Sequence, residues 1–252
     1  MKPAIRLENV TKKFDELTAL QSVGLSVEKG EFIAVVGSSG CGKSTLLRLI
    51  AGLLPATEGS VMVNGHHIDG PTEDVGIAFQ TPVLLPWRTV RENIALPLEI
   101  QGARRASYED AIGRMIDLVG LKGFEDKQPH QLSGGMQQRV SLCRALIHDP
   151  ALLLMDEPFG ALDAMTREQM NLEVQRIWME TGKTVVLITH SIIEAVFLAD
   201  RVVVMSSRPG RVVDVLDVKV PRPRSFSNLG DPGFQEASDR IRELMNANGM
   251  VE

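Results

Sequence analysis

Cysteine and long apolar runs are both scarce in this chain. It has only 2 cysteines among 252 residues, Cys41 and Cys143, too few for a disulfide framework or a cysteine-based zinc site. The longest apolar runs, such as FIAVV and ALLLM, are too short to cross a bilayer. The opening residues, MKPAIRLENV, lack the apolar region of a signal peptide. We therefore expect a cytoplasmic protein that reaches a membrane only through a partner.

A strong excess of one charge is also missing. The formal net charge is −5, which argues against a surface built to coat nucleic acid, so no nucleic-acid partner is expected. Hydrophobic residues make up 44% of the chain and charged residues 23%, the balance of a globular protein with a buried core. No internal repeat is visible, so each motif described below occurs once.

Short β-rich runs alternate with helical patterns, which predicts an α/β fold with a largely parallel sheet. Three nearly continuous apolar runs are typical of strands covered on both faces: FIAVVG, ALLLMD and TVVLITH. Three earlier runs alternate more and predict an antiparallel edge or a small β-subdomain: IRLENVTKKF, LQSVGLSVEKG and GSVMVNGHHID.

Between about residues 88 and 150 the spacing of apolar residues is helical throughout, which predicts an inserted α-helical subdomain. We predict one large domain over residues 1–220 that contains this insertion. Residues 221–252 are predicted to form a linker rich in proline and glycine and then a short helix. Phe234, Ala237, Ile241 and Leu244 share one face of that helix.

The strongest motif is GSSGCGKS, which fits the phosphate-loop pattern GxxxxGK[ST] between a buried-type strand and a helix. Its glycines let successive backbone N–H groups converge on phosphate. Lys43 should reach the β- and γ-phosphates, and the Ser44 hydroxyl should ligate Mg²⁺. The predicted nucleotide-binding residues of this loop are Gly37, Ser38, Ser39, Gly40, Cys41, Gly42, Lys43, Ser44 and Thr45.

Three further polar residues stand at the ends of apolar strands, where ligands gather in parallel sheets. Asp156 ends ALLLMD and is suited to hold Mg²⁺, while Glu157 follows it and could polarise a water for attack on the γ-phosphate. His190 ends TVVLITH and could contact the γ-phosphate and the attacking water. The other histidines show no metal-ligand spacing.

A second anion-binding pattern lies far along the chain, in HQLSGGMQQRVSLCRAL. Ser133 can cap the helix that follows, and Gly134 and Gly135 leave backbone N–H groups open at the positive end of that helix. The chain therefore carries two sequence patterns suited to bind phosphate, although one is enough to bind a nucleotide.

With GSSGCGKS, AFQ, LSGGMQQR, LLLMDEP, GALD and His190 in this order, almost the whole chain resembles the nucleotide-binding subunit of an ABC transporter. The resemblance implies a P-loop NTPase core of RecA type with the two subdomains above, ATP and Mg²⁺ as ligands, and ATP hydrolysis. In this family two subunits pack head to tail, and the signature of one caps the ATP of the other. The signature residues acting in trans would be Ser133, Gly134, Gly135, Met136 and Gln137, with Met136 where the family pattern has glutamine.

The resemblance also assigns roles at single positions. Phe14 matches the aromatic residue that stacks on adenine, which is more often tyrosine in the family. Gln80 matches the glutamine that reaches Mg²⁺ and the attacking water, so the implied metal residues are Ser44, Gln80 and Asp156, and the catalytic ones Glu157, His190 and Gln80. Asp163 matches the aspartate of the dimer-interface loop.

The segment TPVLLPWRTVRENI after Gln80 matches the groove that receives a cytoplasmic helix of the membrane permease. LLPWRTVREN and SSRPGRVVDVLDVKVPRP are similar to the nitrate, sulfonate and taurine importers. The implied partners are a second ATPase subunit, a permease and an extracytoplasmic solute-binding protein. The implied location is the cytoplasmic side of a bacterial cell membrane.

Two alternatives share the catalytic motifs. An exporter ATPase has all of the same catalytic motifs, so the prediction of import depends only on the resemblance to the importer branch of the family. A soluble ABC ATPase acting on nucleic acid or ribosomes usually has paired cassettes, coiled-coil insertions or basic segments, and none is visible. A phosphate-loop kinase or GTPase does not explain LSGGMQQR, and a non-hydrolysing scaffold would lack Glu157 or His190.

Overall fold

The computed structural model describes residues 2–160 and 162–247. Met1 and Ala161, which fall in the predicted large domain, and residues 248–252, the end of the predicted C-terminal segment, lie outside the described residues. Among the helices within these bounds, none has both the length and the apolar composition needed to span a bilayer.

The first part of the chain forms an antiparallel sheet with the strand order β2-β1-β4-β5. Its strands are β1 (Ile5–Phe14), β2 (Leu17–Val27), β4 (Glu58–Val63) and the short β5 (His66–His67). Buried and exposed residues alternate along the second half of β2, from Ser22 to Val27, as expected for a sheet with one face on the core. This is the antiparallel β-subdomain that the alternating pattern predicts.

The central sheet has the order β10-β9-β3-β8-β7-β6 and is parallel except for β10, which pairs antiparallel with β9. Its strands are β3 (Phe32–Val36), β6 (Val75–Ala78), β7 (Leu152–Asp156), β8 (Thr184–Ile188), β9 (Arg201–Met205) and β10 (Val212–Asp217). Every residue of β3 and β8 is buried, which explains their unbroken apolar sequences. The carboxyl ends of β3, β7 and β8 meet at one edge.

Helix α1 (Lys43–Ile50) follows β3, and helices α2 (Val90–Ile100), α3 (Arg105–Leu118) and α4 (Gly134–Leu146) lie between β6 and β7. Thr89 and Glu92 form a capping box at the start of α2. No strand is found among the described residues between β6 and β7, in agreement with the helical spacing. The proposed domain boundaries stay a prediction.

Helices α5 (Ala164–Thr181), α6 (Ile192–Leu198) and α7 (Pro232–Ala247) complete the fold. In α7 the buried face consists of Phe234, Ser238, Ile241 and Met245, whereas Ala237 and Leu244 are only half-buried at its edge. Ala237 and Leu244 still pack against the core, so the four predicted residues share one face, and Ser238 and Met245 are buried with them. The helix packs on α6, β9 and β10 together, so its buried stripe is set by this composite surface rather than by apolar residues alone.

The segment predicted as a linker packs on the core through Arg224, which is 3% exposed. Its guanidinium donates to the carbonyl oxygens of Val196 at 2.8 Å and Ala199 at 2.7 Å. The Gln175 side chain pairs with both backbone groups of Arg224, at 2.7 and 2.9 Å. Burial lowers the pKa of Arg224 to about 10, so it stays charged at neutral pH and is stabilised by carbonyl dipoles.

A candidate nucleotide-binding site

The loop between β3 and α1 can be built only with glycine at several positions. Gly40 and Gly42 have φ values of 72° and 107°, which residues that carry a Cβ rarely adopt. A Cβ at Gly42 would lie 2.9 Å from the carbonyl oxygen of Ala19, and one at Gly37 would lie 2.9 Å from that of Met205. The loop is therefore curled tightly between neighbouring strands.

Lys43 lies within this loop and is 5% exposed. Its ammonium group donates to the carbonyl oxygens of Gly37 at 2.9 Å and Ser38 at 3.0 Å. The buried Cys41 contributes packing, and burial raises the pKa of its thiol, so it remains neutral. The loop therefore places a fixed positive charge at the N-terminus of α1, an arrangement that favours a phosphate.

Ser44 and Asp156 come together although they are far apart in sequence. The Ser44 hydroxyl donates to Oδ1 of Asp156 at 3.0 Å. Burial raises the pKa of Asp156, while the Ser44 hydrogen bond opposes this shift. A hydroxyl and a desolvated carboxylate are oxygen ligands that fit Mg²⁺. No cluster of three or more metal-type side chains is found within the described residues, so phosphates and water would have to complete such a site.

Glu157 and His190 are in direct contact, with Nδ1 of His190 3.2 Å from Oε2 of Glu157. Glu157 has a positive φ of 45° while its N–H still donates to Ile188 in β8 at 2.9 Å. The side chain of Gln80 also lies near Glu157, with Gly160 beside both. A Cβ built on Gly160 would lie 3.5 Å from Nε2 of Gln80 and 4.0 Å from Oε2 of Glu157. The structure thus brings together the three residues predicted to be catalytic.

Lys43, Ser44 and Glu157 border a cleft of about 260 Å³; Gln80 and His190 are not among the described residues that line it. Phe14 stands at its mouth, 40% exposed, with the Lys12 ammonium 5.0 Å from the ring centroid. Such a ring has a free face for a nucleobase. The residues that line the cleft are Phe14, Leu17, Ala19, Ser39, Gly40, Gly42, Lys43, Ser44, Thr45, Glu157 and Arg208.

The second predicted phosphate-binding pattern lies outside the cleft: among the described residues that line the cleft, none comes from 133–137. Ser133 caps α4, its hydroxyl accepting from the N–H of Met136 at 3.3 Å. Gly135 is packed tightly, because a Cβ there would lie 2.4 Å from Cγ2 of Thr166, whereas a Cβ at Gly134 would meet only Leu162 at 3.9 Å.

Asp163 lies next to the signature, because its hydrogen-bond partner Thr166 is also the residue that packs against Gly135. It caps α5 by accepting from Thr166 N at 3.1 Å and Thr166 Oγ1 at 2.7 Å, and these hydrogen bonds lower the pKa of Asp163. Gln137 donates to the carbonyl oxygens of Pro129 and Leu132 in its own chain, at 3.0 and 3.3 Å. The residues predicted to act on a second subunit therefore share one surface, and Gln137 stabilises that surface from within.

Sequence reasoning missed two sets of residues. Arg208 lines the cleft, although SSRPGR served only as a marker of the importer branch. Gln138 and Arg144 of α4 donate to the carbonyl oxygens of Phe79 at 3.3 Å and Pro82 at 2.7 Å, on either side of Gln80. These contacts connect the signature helix to the Gln80 segment, and no local sequence pattern indicates them.

Comparisons with known proteins identify relatives of this chain. Residues 20–160 match the family model described as ABC transporter. The chain is 47% identical over 233 residues to an uncharacterised ABC transporter ATP-binding protein of Methanocaldococcus jannaschii, covering 91% of this chain and 87% of the relative. It is 48% identical over 221 residues to the taurine import ATP-binding protein of Escherichia coli, covering 86% and 87%. An aliphatic sulfonates import ATP-binding protein of Bacillus cereus is 39% identical over 252 residues, 98% of each chain.

Solved structures give the same answer for the fold. A dimeric ATP-binding cassette in a post-hydrolysis state with ADP and Pi superposes with a TM-score of 0.75 at 33% identity, over 86% of this chain and 100% of that one. A subunit of an ABC transporter complex from Clostridium perfringens superposes with a TM-score of 0.80 at 23% identity, over 98% and 99%, which bears on the fold alone. The predicted fold class, a P-loop core of ABC ATPase type, is confirmed.

Proposed function

Because the chain belongs to the ABC transporter family of ATPases, as the resemblance predicted, we propose that it drives the import of a small organic sulfonate such as taurine. The observation that carries this proposal is 46–48% identity to taurine import ATP-binding proteins over 82–86% of the chain. The aliphatic sulfonates import ATP-binding protein of Bacillus cereus is similar in sequence over 98% of this chain. The proposed machinery includes a second copy of the chain, a membrane permease and a solute-binding protein outside the membrane.

In the proposed site, Ser44, Asp156 and Gln80 would hold Mg²⁺, and Lys43 and the loop N–H groups bind the phosphates of ATP. The metal would supply positive charge to the phosphate oxygens. Glu157 accepts the proton of the attacking water, and the 3.2 Å contact with His190 holds its carboxylate in place. The 3.0 Å contact between the Ser44 hydroxyl and Oδ1 of Asp156 supports this assignment, since it places two oxygen ligands side by side at the end of the phosphate loop.

The proposed dimer places the signature of one copy on the phosphate of the other. Support comes from the separation of the signature from the cleft and from the surface it shares with Asp163. Since each motif occurs once, a twofold pair contains two complete sites. Every proposed trans contact would then be made twice.

The proposed permease contact is an apolar groove of about 480 Å³ beside α2, and among its described lining residues none comes from 81–94, the segment that the resemblance assigned to this contact. Ile100 at its rim is 77% exposed, and Trp87, in the loop before the other end of α2, is 69% exposed. The buried Asn93 fixes that loop by bonding to Leu85 and Arg88, with its amide 3.1 Å from each carbonyl oxygen. Large apolar side chains held in water beside a groove favour docking of a partner helix.

The function can be tested by uptake in the source organism. Deleting the gene should reduce uptake of labelled taurine or ethanesulfonate by about tenfold or more, while uptake of a labelled amino acid stays unchanged. Wild-type protein should restore uptake and Lys43→Ala should not, because the phosphate loop loses its cation. Unchanged sulfonate uptake after deletion would contradict the proposed solute class.

Docking can be tested with a pair of matched substitutions. Ile100→Lys should retain ATP binding by the isolated protein but reduce sulfonate uptake at least about fivefold, because burying an unpaired ammonium in an apolar contact is costly. Met179→Lys is the control, since Met179 is also exposed, near the end of its helix, and does not line the groove. Equal uptake by the two variants would argue against docking at this groove.

A further inference from the structure

The loop between β9 and β10 lies directly against the phosphate loop. Gly210 in this loop donates its N–H to the Ala19 carbonyl at 2.9 Å and accepts from Gln21 N at 3.0 Å. A Cβ at Gly210 would lie 2.1 Å from the carbonyl oxygen of Cys41. Only glycine allows this approach, so the position of the loop is closely fixed relative to the nucleotide cleft.

Arg208 extends from this loop to the cleft. Its Nε and Nη2 donate to the carbonyl oxygen of Gly40, at 3.1 and 2.9 Å. A Cβ at Gly40 would lie 2.9 Å from Nη2, so a side chain there would displace the guanidinium. Both hydrogen bonds reach a neutral carbonyl, and no ion pair to a carboxylate is found for Arg208 within the described part of the chain. Its positive charge is therefore not neutralised by a carboxylate.

We propose that Arg208 is a nucleotide-binding residue, which braces the Gly40 peptide and presents its charge to the phosphates of ATP. It lines the same cleft as Phe14, Lys43 and Glu157. A triphosphate carries several negative charges, and a guanidinium makes strong charge-assisted hydrogen bonds to phosphate oxygens. The assignment rests on the proposal that this cleft is the ATP site.

The test uses ATP titrations of a hydrolysis-blocked parent carrying Glu157→Gln, measured by calorimetry at several salt concentrations. Arg208→Gln should raise the dissociation constant for ATP about tenfold and make it less dependent on salt. Arg208→Lys, which keeps the charge, should restore at least half of this loss on a logarithmic scale. Arg211→Gln is the matched control, because Arg211 belongs to the same loop but bonds to Gln21 and does not line the cleft.

Two results would overturn the assignment. If Arg208→Gln binds ATP as tightly as Arg211→Gln, Arg208 does not contribute to binding. If Arg208→Lys is as weak as Arg208→Gln and both keep the parent's salt dependence, Arg208 acts only as a brace. A parent that binds no ATP would overturn the proposed nucleotide site together with this assignment.

Discussion

Replacing Glu157 by glutamine should leave ATP binding intact and lower ATP turnover by about two or more orders of magnitude. Glutamine has nearly the same shape but cannot accept a proton from the attacking water. Glu157 lines the cleft and contacts His190, whereas Lys43 and Ser44, which are proposed to bind the phosphates and metal, are unchanged. Phosphate release at saturating ATP measures the effect.

A matched control separates catalysis from a general change of charge. Glu180→Gln removes the same charge from α5, where Glu180 is exposed and pairs with Arg176 at 2.9 Å. Its turnover should remain within about twofold of wild type, because an exposed pair on a helix contributes little. Near-normal turnover of Glu157→Gln would remove Glu157 from the role of base.

The catalytic end of the site could be predicted because its geometry follows from the topology. Asp156 ends β7, and His190 lies two residues beyond the end of β8 rather than at its last position; parallel strands bring their carboxyl ends to one edge. The phosphate loop is contiguous in sequence, so its residues need no tertiary information to be grouped. Gln80 was placed only by resemblance, since nothing near it in the sequence indicates the approach to Gly160.

Residues brought in by loop packing could not be predicted in this way. Arg208 reaches Gly40 across 168 positions, and the contact depends on the close approach of Gly210 to Cys41. Arg224 lies in a segment rich in proline and glycine whose composition indicates a solvated linker, yet it binds carbonyl groups in the core. Local sequence patterns indicate secondary-structure propensity and the periodicity of apolar residues. They do not indicate which carbonyl group, distant in sequence, a side chain will contact in the folded protein.

The structure also decides which substitution best tests the signature in trans. Aspartate at Gly135 would clash with Thr166 of the same chain, since its Cβ would lie 2.4 Å from Cγ2, so a defect could arise without a second subunit. Gly134 has room for a side chain, and an aspartate in the first turn of α4 interacts favourably with the helix dipole. Gly134→Asp should therefore fold and bind ATP as a monomer.

In the hydrolysis-blocked background, Gly134→Asp should abolish ATP-driven dimerisation. A carboxylate about 4 Å from a phosphate charge costs about 4 kcal/mol at an effective dielectric constant near 20, so the repulsion at one of the two composite sites alone weakens association by about three orders of magnitude. Gly134→Asn has the same size without the charge and should lose far less. Light scattering after size-exclusion chromatography, with and without ATP, measures the dimer.

Mixing two defective proteins shows whether the signature acts in trans. In a heterodimer of Gly134→Asp with Lys43→Ala, both lesions fall on one composite site, because the altered signature faces the altered phosphate loop. The other site combines an intact loop with an intact signature, so the mixture should recover ATP-dependent dimers that neither protein forms alone. If Gly134→Asp instead prevents ATP binding by the monomer while Gly134→Asn does not, the signature acts on the nucleotide of its own chain and the head-to-tail arrangement is wrong.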